Sequence, residues 1–167
     1  MSEEIKHDRR GFLGESAENR LAAAGVELPP AVTPFGAYVP AVRTGNLLFL
    51  SGMLPTVGHE PKFVGRVGRE LDAEQGRSAA YAAALNVPAV ARQHLGSLDM
   101  ISRVVRLGVY IAAAGDFVGL PKIADAASEL LRGIFGEDKI SSRLVFGGES
   151  LPLGAAVELE AIFEVSP

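Results

Sequence analysis

The sequence contains no cysteine and only three histidines among its 167 residues. The absence of cysteine excludes disulfides, thiolate metal sites and a cysteine nucleophile. His7, His59 and His94 are far apart in the sequence, so we expect no zinc or iron site in this protein.

An excess of basic residues is also lacking. The 16 Lys and Arg residues are outnumbered by 20 Asp and Glu residues, which gives a net charge of -4 and a pI near 5.4. This balance does not favour a nucleic-acid-binding protein, whose affinity depends on neutralising phosphates. No apolar run suits a membrane span or a signal peptide, so we expect a cytoplasmic protein.

The length of the chain fits one compact domain better than two. Residues 1–14 are polar and contain glycine, and we interpret them as a frayed arm. Ser16 is the expected N-cap of a short helix that ends near Ala24. We therefore divide the chain into an N-terminal arm with a short helix, residues 1–30, and a single domain, residues 31–167.

The periodicity of apolar residues predicts the secondary structure of this domain. Thr44-Gly45-Asn46 is a turn between two β-rich stretches, and a third strand is expected from Lys62 to Val67. Helical spacing follows from Asp72 to Leu95 and from about Asp116 to Phe135, with strands between and after these helices. The order β-β-β-α-β-α-β-β predicts an α+β domain with a mixed sheet and two helices on one face.

The last strand, residues 155–165, alternates between two kinds of side chain. Apolar residues occupy its odd-numbered positions from Val157 to Val165, whereas Ile162 stands among glutamates at the even-numbered positions. Two helices on one face of the sheet leave the second face uncovered. A face that mixes acidic and apolar side chains is either solvated or buried against another subunit.

Two segments resemble the RidA/YjgF family, whose members are often labelled endoribonuclease L-PSP. Tyr38 to Pro55 carries a tyrosine, a Gly-Asn turn, a Ser-Gly pair and a proline at the spacing of the family's first hairpin. Arg143 to Ile162, R-x7-L-P-x-G-x-x-V-E-x-E-A-I, is similar to its C-terminal signature. The resemblance covers residues 31–165, and the N-terminal helix is similar to a longer branch. It implies a chorismate-mutase-like sandwich that forms homotrimers, with ligand clefts shared by neighbouring subunits.

The resemblance gives catalytic roles to Arg143 and Glu158. A guanidinium stays charged at neutral pH and its planar fork fits a carboxylate, so Arg143 would bind the carboxylate of a 2-imino acid. Glu158 would position the water that attacks the imine carbon. The alternative for Arg143 is a structural ion pair, and the alternative for Glu158 is a surface glutamate. Glu160, two residues on, should share the face of Glu158.

Tyr38, Ser51 and Gly52 match ligand-binding residues of the family. The ring of Tyr38 would pack on the ligand and its hydroxyl would hydrogen-bond to it. Gly52 would allow the backbone to approach the ligand closely. The alternative for Tyr38 is an ordinary half-buried tyrosine of a strand. The alternative for Ser51 and Gly52 is a turn glycine with a serine beside it.

The sequence departs from the family in two places. Arg143 is followed by Leu144-Val145-Phe146-Gly147-Gly148, and Val145 takes the position of a cysteine in deaminating members. Asp125 aligns with the family's helix asparagine, although it also fits the solvated face of its helix. An acid in the pocket would repel a carboxylate ligand. These changes keep Arg143 as the residue expected to bind an anion, here called the anion anchor, but they count against imine deamination.

Three functions follow as expectations. The first is hydrolysis of a reactive 2-imino or enamine acid to a keto acid and ammonia, without a cofactor because the substrate is already activated. The second is a non-catalytic or regulatory trimer that binds small carboxylates. The third is endoribonuclease activity, which the sequence supports poorly because it lacks paired histidines, an aromatic stacking platform and a basic excess.

Overall fold

The structure is a computed structural model and describes residues 16–167. The arm predicted for residues 1–14 lies outside the described residues. The predicted first helix is confirmed as α1, Ala17–Ala23, and the Ser16 hydroxyl accepts a hydrogen bond from the Asn19 N–H at 3.2 Å. No helix in the described part of the chain is long and apolar enough to cross a membrane.

Seven strands follow along the described chain. They are β1 Ala41–Thr44, β2 Leu47–Leu50, β3 Thr56–Val57, β4 Glu60–Pro61, β5 Ile101–Ala112, β6 Ser142–Gly148 and β7 Val157–Val165. Five of them form one mixed sheet in the order β1-β2-β7-β5-β6, in which β5 and β6 run parallel and the other neighbours antiparallel. The predicted hairpin is therefore confirmed as β1 and β2, and β6 lies at an edge of the sheet.

The prediction of a third strand from Lys62 to Val67 is wrong. β3 and β4 form a separate two-stranded ribbon before this segment, and the segment itself makes only isolated bridges at Val64 and Val67. Gly65 has a φ of 121°, in a region that side-chain-bearing residues rarely adopt. The chain bends at this glycine, so an extended pairing cannot continue.

Both long helices are confirmed. α2, Ala73–Leu95, begins with a capping box in which the side chains of Asp72 and Gln75 each bond the other's backbone N–H. α3, Leu120–Phe135, begins about a turn later than predicted, because Pro121 favours the first turn of a helix. α2 packs over β2 and β7, and α3 over β5 and β6, so both cover one face of the sheet. This is the expected α+β sandwich.

The alternation of β7 is also confirmed. Its odd-numbered residues from Val157 to Val165 are buried against the helices, and its even-numbered residues are half-buried on the second face, here called the open face. Strand register places four apolar residues on the open face, each between 38% and 60% exposed: Val42, Phe49, Leu144 and Phe146. Exposed apolar side chains gathered on one face are typical of an interaction surface.

Candidate functional site

Glu158 stands on the open face of β7, against the backbone that follows β2. A Cβ atom on Gly52 would lie 1.9 Å from the Glu158 Oε1 atom, far inside van der Waals contact. A bridge between Met53 and Leu159 holds the two segments together through N–H to carbonyl contacts of 2.7 and 2.9 Å. Glycine at position 52 therefore lets the carboxylate lie directly against the backbone, and any larger residue would displace the Glu158 side chain from this position.

The Glu158 carboxyl is half-buried between two adjoining cavities of about 410 and 360 Å³. Burial raises the pKa of this carboxyl above its ordinary value of 4.5, and the nearby charge of Glu160 raises it further. Among residues 16–167, no group donates a hydrogen bond to it. A carboxylate that is partly desolvated and unpaired is suited to accept a proton from a bound water.

Glu160 shares the open face with Glu158, as predicted, but it has a partner. The Arg106 Nε donates a hydrogen bond to the Glu160 Oε1 at 3.3 Å, and both side chains are partly exposed. The alternating sequence pattern treats the two glutamates alike. The structure distinguishes them, because Glu160 belongs to an ion pair whereas Glu158 faces the cavities with no ion-pair partner among the described residues.

Tyr38 and Ser51 line the larger cavity beside Glu158. The Tyr38 hydroxyl accepts a hydrogen bond from the Phe35 N–H at 3.1 Å, and its side chain is about half exposed. The Ser51 hydroxyl donates to the Val39 carbonyl oxygen at 2.6 Å, which ties the chain before β1 to the end of β2. Four of the five predicted site residues therefore meet at this cavity. Their roles toward a ligand stay predictions.

Arg143, the fifth predicted residue, does not line this cavity. It pairs in register with Leu107, which is buried under the helices, whereas Glu158 pairs with Tyr110 on the open face. The side chains of Arg143 and Glu158 therefore point to opposite faces of the sheet. Two strand spacings and three residues separate their Cα atoms, which amounts to roughly 14 Å.

Arg143 binds residues of α3 instead. Its Nη1 donates to the Asp125 Oδ1 at 2.8 Å and to the Ser128 Oγ at 3.0 Å. Asp125 thus lies beside the predicted anion anchor and is not merely a solvated helix residue. Its side chain is 46% exposed, and an exposed ion pair of this kind contributes only about 0.2–1 kcal/mol. A carboxylate ligand can therefore compete with Asp125 for the guanidinium.

Four residues of the site were not found from the sequence. Phe35, Leu54 and Leu153 line the larger cavity, and Asn86 is fully buried in α2. The Asn86 amide donates to the Leu54 carbonyl oxygen at 2.8 Å and so holds the cavity wall in place. The sequence does offer one signal for Asn86, because a single asparagine on the apolar side of a helix indicates a buried polar contact. The three apolar residues gave none, because their types and spacing are those of ordinary loops.

A larger groove of about 700 Å³ lies in the helical layer between α2 and α3. Its lining is mostly apolar, and its Arg77 and Glu129 side chains bind each other at 3.1 Å. None of the predicted site residues lines it. We therefore place the candidate site at the cavities beside Glu158, a carboxyl with a raised pKa and no ion-pair partner in the part of the chain that the structure describes.

The sandwich and the position of Glu158 beside the Ser-Gly pair define the class of protein. The sequence profile described as "YjgF/chorismate_mutase-like, putative endoribonuclease" matches residues 18–164. The chain therefore belongs to the YjgF/chorismate mutase-like family, which includes the RidA proteins, and the resemblance seen in the sequence is confirmed.

Relatives cover nearly the whole chain. Protein TCP17 of Trypanosoma cruzi is 36% identical over 155 residues, which are 90% of this chain and 97% of that protein. A crystal structure of a protein of unknown function from Agrobacterium tumefaciens is 36% identical, with a TM-score of 0.82, and covers 90% of this chain and 92% of its own. A "putative endoribonuclease" from Shewanella oneidensis is 31% identical, with a TM-score of 0.85, over 90% and 99% of the two chains.

One more distant structure contains a ligand. TdcF of Escherichia coli, solved with bound serine, is 21% identical to this chain and has a TM-score of 0.58. The match covers 84% of this chain and 97% of TdcF. At this level of identity the similarity concerns the fold alone.

Proposed function

We propose that this protein hydrolyses reactive 2-imino or enamine acids to 2-keto acids and ammonia, in clefts between the subunits of a homotrimer. The observation that carries the proposal is the placement of Arg143 and Glu158 on opposite faces of one sheet. Each chain offers a guanidinium on one face and, in a cavity on the other face, a carboxylate that has no ion-pair partner within residues 16–167. A small ligand can contact both groups only where two copies of the chain meet.

The open face supports such an assembly. Leu144 and Phe146 expose apolar side chains on the edge strand β6, and β5 separates this strand from β7, which carries Glu158. Covering these side chains with a second subunit would remove apolar surface from water, at about 25 cal/mol per Å². The serine bound to TdcF also fits the proposal, because it carries a carboxylate and a nitrogen on one carbon, as a 2-imino acid does.

In the proposed reaction Arg143 of one subunit holds the substrate carboxylate, and Glu158 of a neighbouring subunit acts on water. Glu158 accepts a proton from the water as the water oxygen bonds to the imine carbon, and it passes this proton to the nitrogen, which gives a neutral carbinolamine. Glu158 then takes the proton of the carbinolamine hydroxyl and delivers it to the nitrogen, so that the C–N bond breaks, ammonia leaves and the hydroxyl oxygen becomes the carbonyl oxygen. Imino acid and water thus give keto acid and ammonia, with no electron transfer.

A mixed-subunit experiment tests the divided site. We expect Arg143→Ala and Glu158→Gln chains to be nearly inactive alone, and the trimers formed by co-expressing them to regain activity. On random mixing about a quarter of the clefts pair an intact Arg143 with an intact Glu158, so about a quarter of the wild-type rate should return. Release of ammonia from freshly generated 2-iminobutanoate is the readout. A site contained within one chain would give no recovery at all.

A second candidate function is a carboxylate-binding trimer without turnover. The observation that favours it is the ion pair between Arg143 and Asp125, which partly neutralises the anchor. Val145, in the position of the family's cysteine, packs against the core and supplies no polar group. In this case a stable carboxylate such as 2-oxobutanoate would bind, and ammonia release from 2-iminobutanoate would not exceed the rate in buffer.

Substitution of Asp125 is expected to strengthen carboxylate binding under either function. Asp125→Asn removes a charge that competes with the ligand, so the affinity for 2-oxobutanoate should rise about two- to fivefold. Isothermal titration measures the change, and Asp116→Asn in an exposed loop serves as the matched control for loss of one negative charge. A weaker affinity in Asp125→Asn would show that Asp125 orients Arg143 rather than competing for it.

The endoribonuclease label of the family gains no support from the cavities. Among residues 16–167 of one chain, no basic side chain lines the two cavities beside Glu158, so Arg143 of a neighbouring subunit would be the single cation offered to an RNA phosphate there. RNA cleavage that persists in Arg143→Ala and follows the purified protein strictly would favour that activity instead.

A further inference from the structure

Leu153 has a backbone conformation that leucine rarely adopts. Among residues 16–167 it is the one non-glycine residue with a positive φ, at φ 58° and ψ 14°. In this left-handed region a Cβ atom crowds the neighbouring carbonyl, and glycine is the usual occupant. The next residue, Gly154, has a φ of 70° and follows that usual pattern.

The turn that contains Leu153 is fixed on both sides. The Gly154 N–H donates to the Leu151 carbonyl oxygen and the Ala155 N–H to the Pro152 carbonyl oxygen, each at 3.1 Å. The Gly65 N–H donates to the Gly154 carbonyl oxygen at 3.0 Å. The backbone of the turn is therefore held by its surroundings, and the direction of the Leu153 side chain is set.

Core packing does not explain the choice of leucine. Leu153 is 49% exposed and lines the larger cavity together with Phe35, Leu54 and Glu158. A glycine would suit the backbone better and would leave the core unchanged. Strained backbone of this kind is concentrated at functional sites, where the side chain has a role outside stability.

From this position we infer that Leu153 is the specificity-determining residue of the cleft and selects 2-imino acids with a large apolar side chain. The inference rests on the proposed function, because it assigns the reacting end of the substrate to Arg143 and Glu158. The hydrocarbon end then lies against the apolar wall of a cavity of about 410 Å³, which exceeds the needs of a methyl group. Each methylene buried there strengthens binding about fourfold.

The test compares two substrates in two variants. Imino acids are generated in place from leucine and from alanine by an amino acid oxidase, and kcat/KM is measured from ammonia release. We expect wild-type protein to prefer the leucine-derived substrate by at least about tenfold, and Leu153→Gly to lose about tenfold of that preference. The alanine-derived substrate should be little affected. Val118→Ala, which shortens an apolar side chain that is 89% exposed and does not line the cavity, should retain the wild-type preference.

Three results would overturn the inference. They are a wild-type enzyme without preference, a preference that survives Leu153→Gly, and a Leu153→Gly chain that no longer assembles in light scattering, which would make Leu153 an interface residue. If wild-type protein turns over neither imine, the proposed reaction fails by itself. The inference is then decided by the affinities of 4-methyl-2-oxopentanoate and 2-oxopropanoate for the same variants. An equal affinity of the two keto acids for wild-type protein would reject it.

Discussion

Replacing Arg143 by alanine is expected to lower kcat/KM for 2-iminobutanoate by roughly 10²- to 10³-fold, since in the proposed reaction the charged fork of this arginine would hold the substrate in its reactive position. The variant should keep its fold and its assembly. Its partner Asp125 is partly exposed, so water can solvate the carboxylate that the substitution leaves behind. Stopped-flow measurement of ammonia release, with light scattering for assembly, gives both results.

Arg143→Lys is the matched control for this prediction. Lysine keeps the positive charge but loses the planar fork, so it should recover only part of the lost kcat/KM. A trimer that falls apart in Arg143→Ala would instead support the structural ion pair that we stated as the alternative. Unchanged turnover in a trimer that stays intact would remove Arg143 from the site altogether.

Glu158→Gln has the second large expected effect. The amide is close in shape to the carboxyl but cannot accept a proton from water, so kcat for 2-iminobutanoate should fall by roughly 10²- to 10⁴-fold. Binding of 2-oxobutanoate should change little, because Arg143 supplies the anion contact. Glu164→Gln is the matched control, since this glutamate shares the open face of β7 but does not line either cavity. Equal losses of kcat in the two variants would contradict the role given to Glu158.

The raised pKa of Glu158 gives this prediction a dependence on pH. The base form is lost as the pH falls through a value above 4.5, so wild-type kcat should decline there. The contribution of Glu158 to the stability of the fold changes with pH in the opposite direction. A carboxyl whose pKa is raised in the folded protein favours folding below 4.5, and this contribution is lost as the pH rises through the folded pKa. Glu158→Gln should therefore unfold at a higher temperature than wild type at pH 7, with the difference vanishing below 4.5.

The predictions from sequence succeeded where local pattern decides structure. The strict alternation of β7 showed which of its residues share one face, whereas the Ser-Gly pair that meets Glu158 was found through the family resemblance. The strand expected from Lys62 to Val67 failed because local β propensity says nothing of the positive φ at Gly65. Helical spacing gave α2 within a residue at its start.

The candidate site could be predicted only in part. The face on which Arg143 lies follows from its parallel register with β5, a pairing between residues 36 positions apart that no nearby residues encode. The contact of Arg143 with Asp125 likewise depends on how α3 crosses β6. Leu153 could not be predicted from the sequence, because its positive φ results from the hydrogen bonds that hold the turn around it. Leucine as a residue type gives no indication of such a φ.

If the proposed function holds, a guanidinium and a carboxylate on opposite faces of one sheet would make the rate depend on protein concentration, because two chains must meet to complete one site. An isolated chain carries both groups but cannot bring them to the same ligand molecule. Dilution below the concentration at which the subunits associate would abolish the activity, although each chain would stay folded. The quantity of protein in the cell would then set whether the activity exists, before it sets how much of it there is.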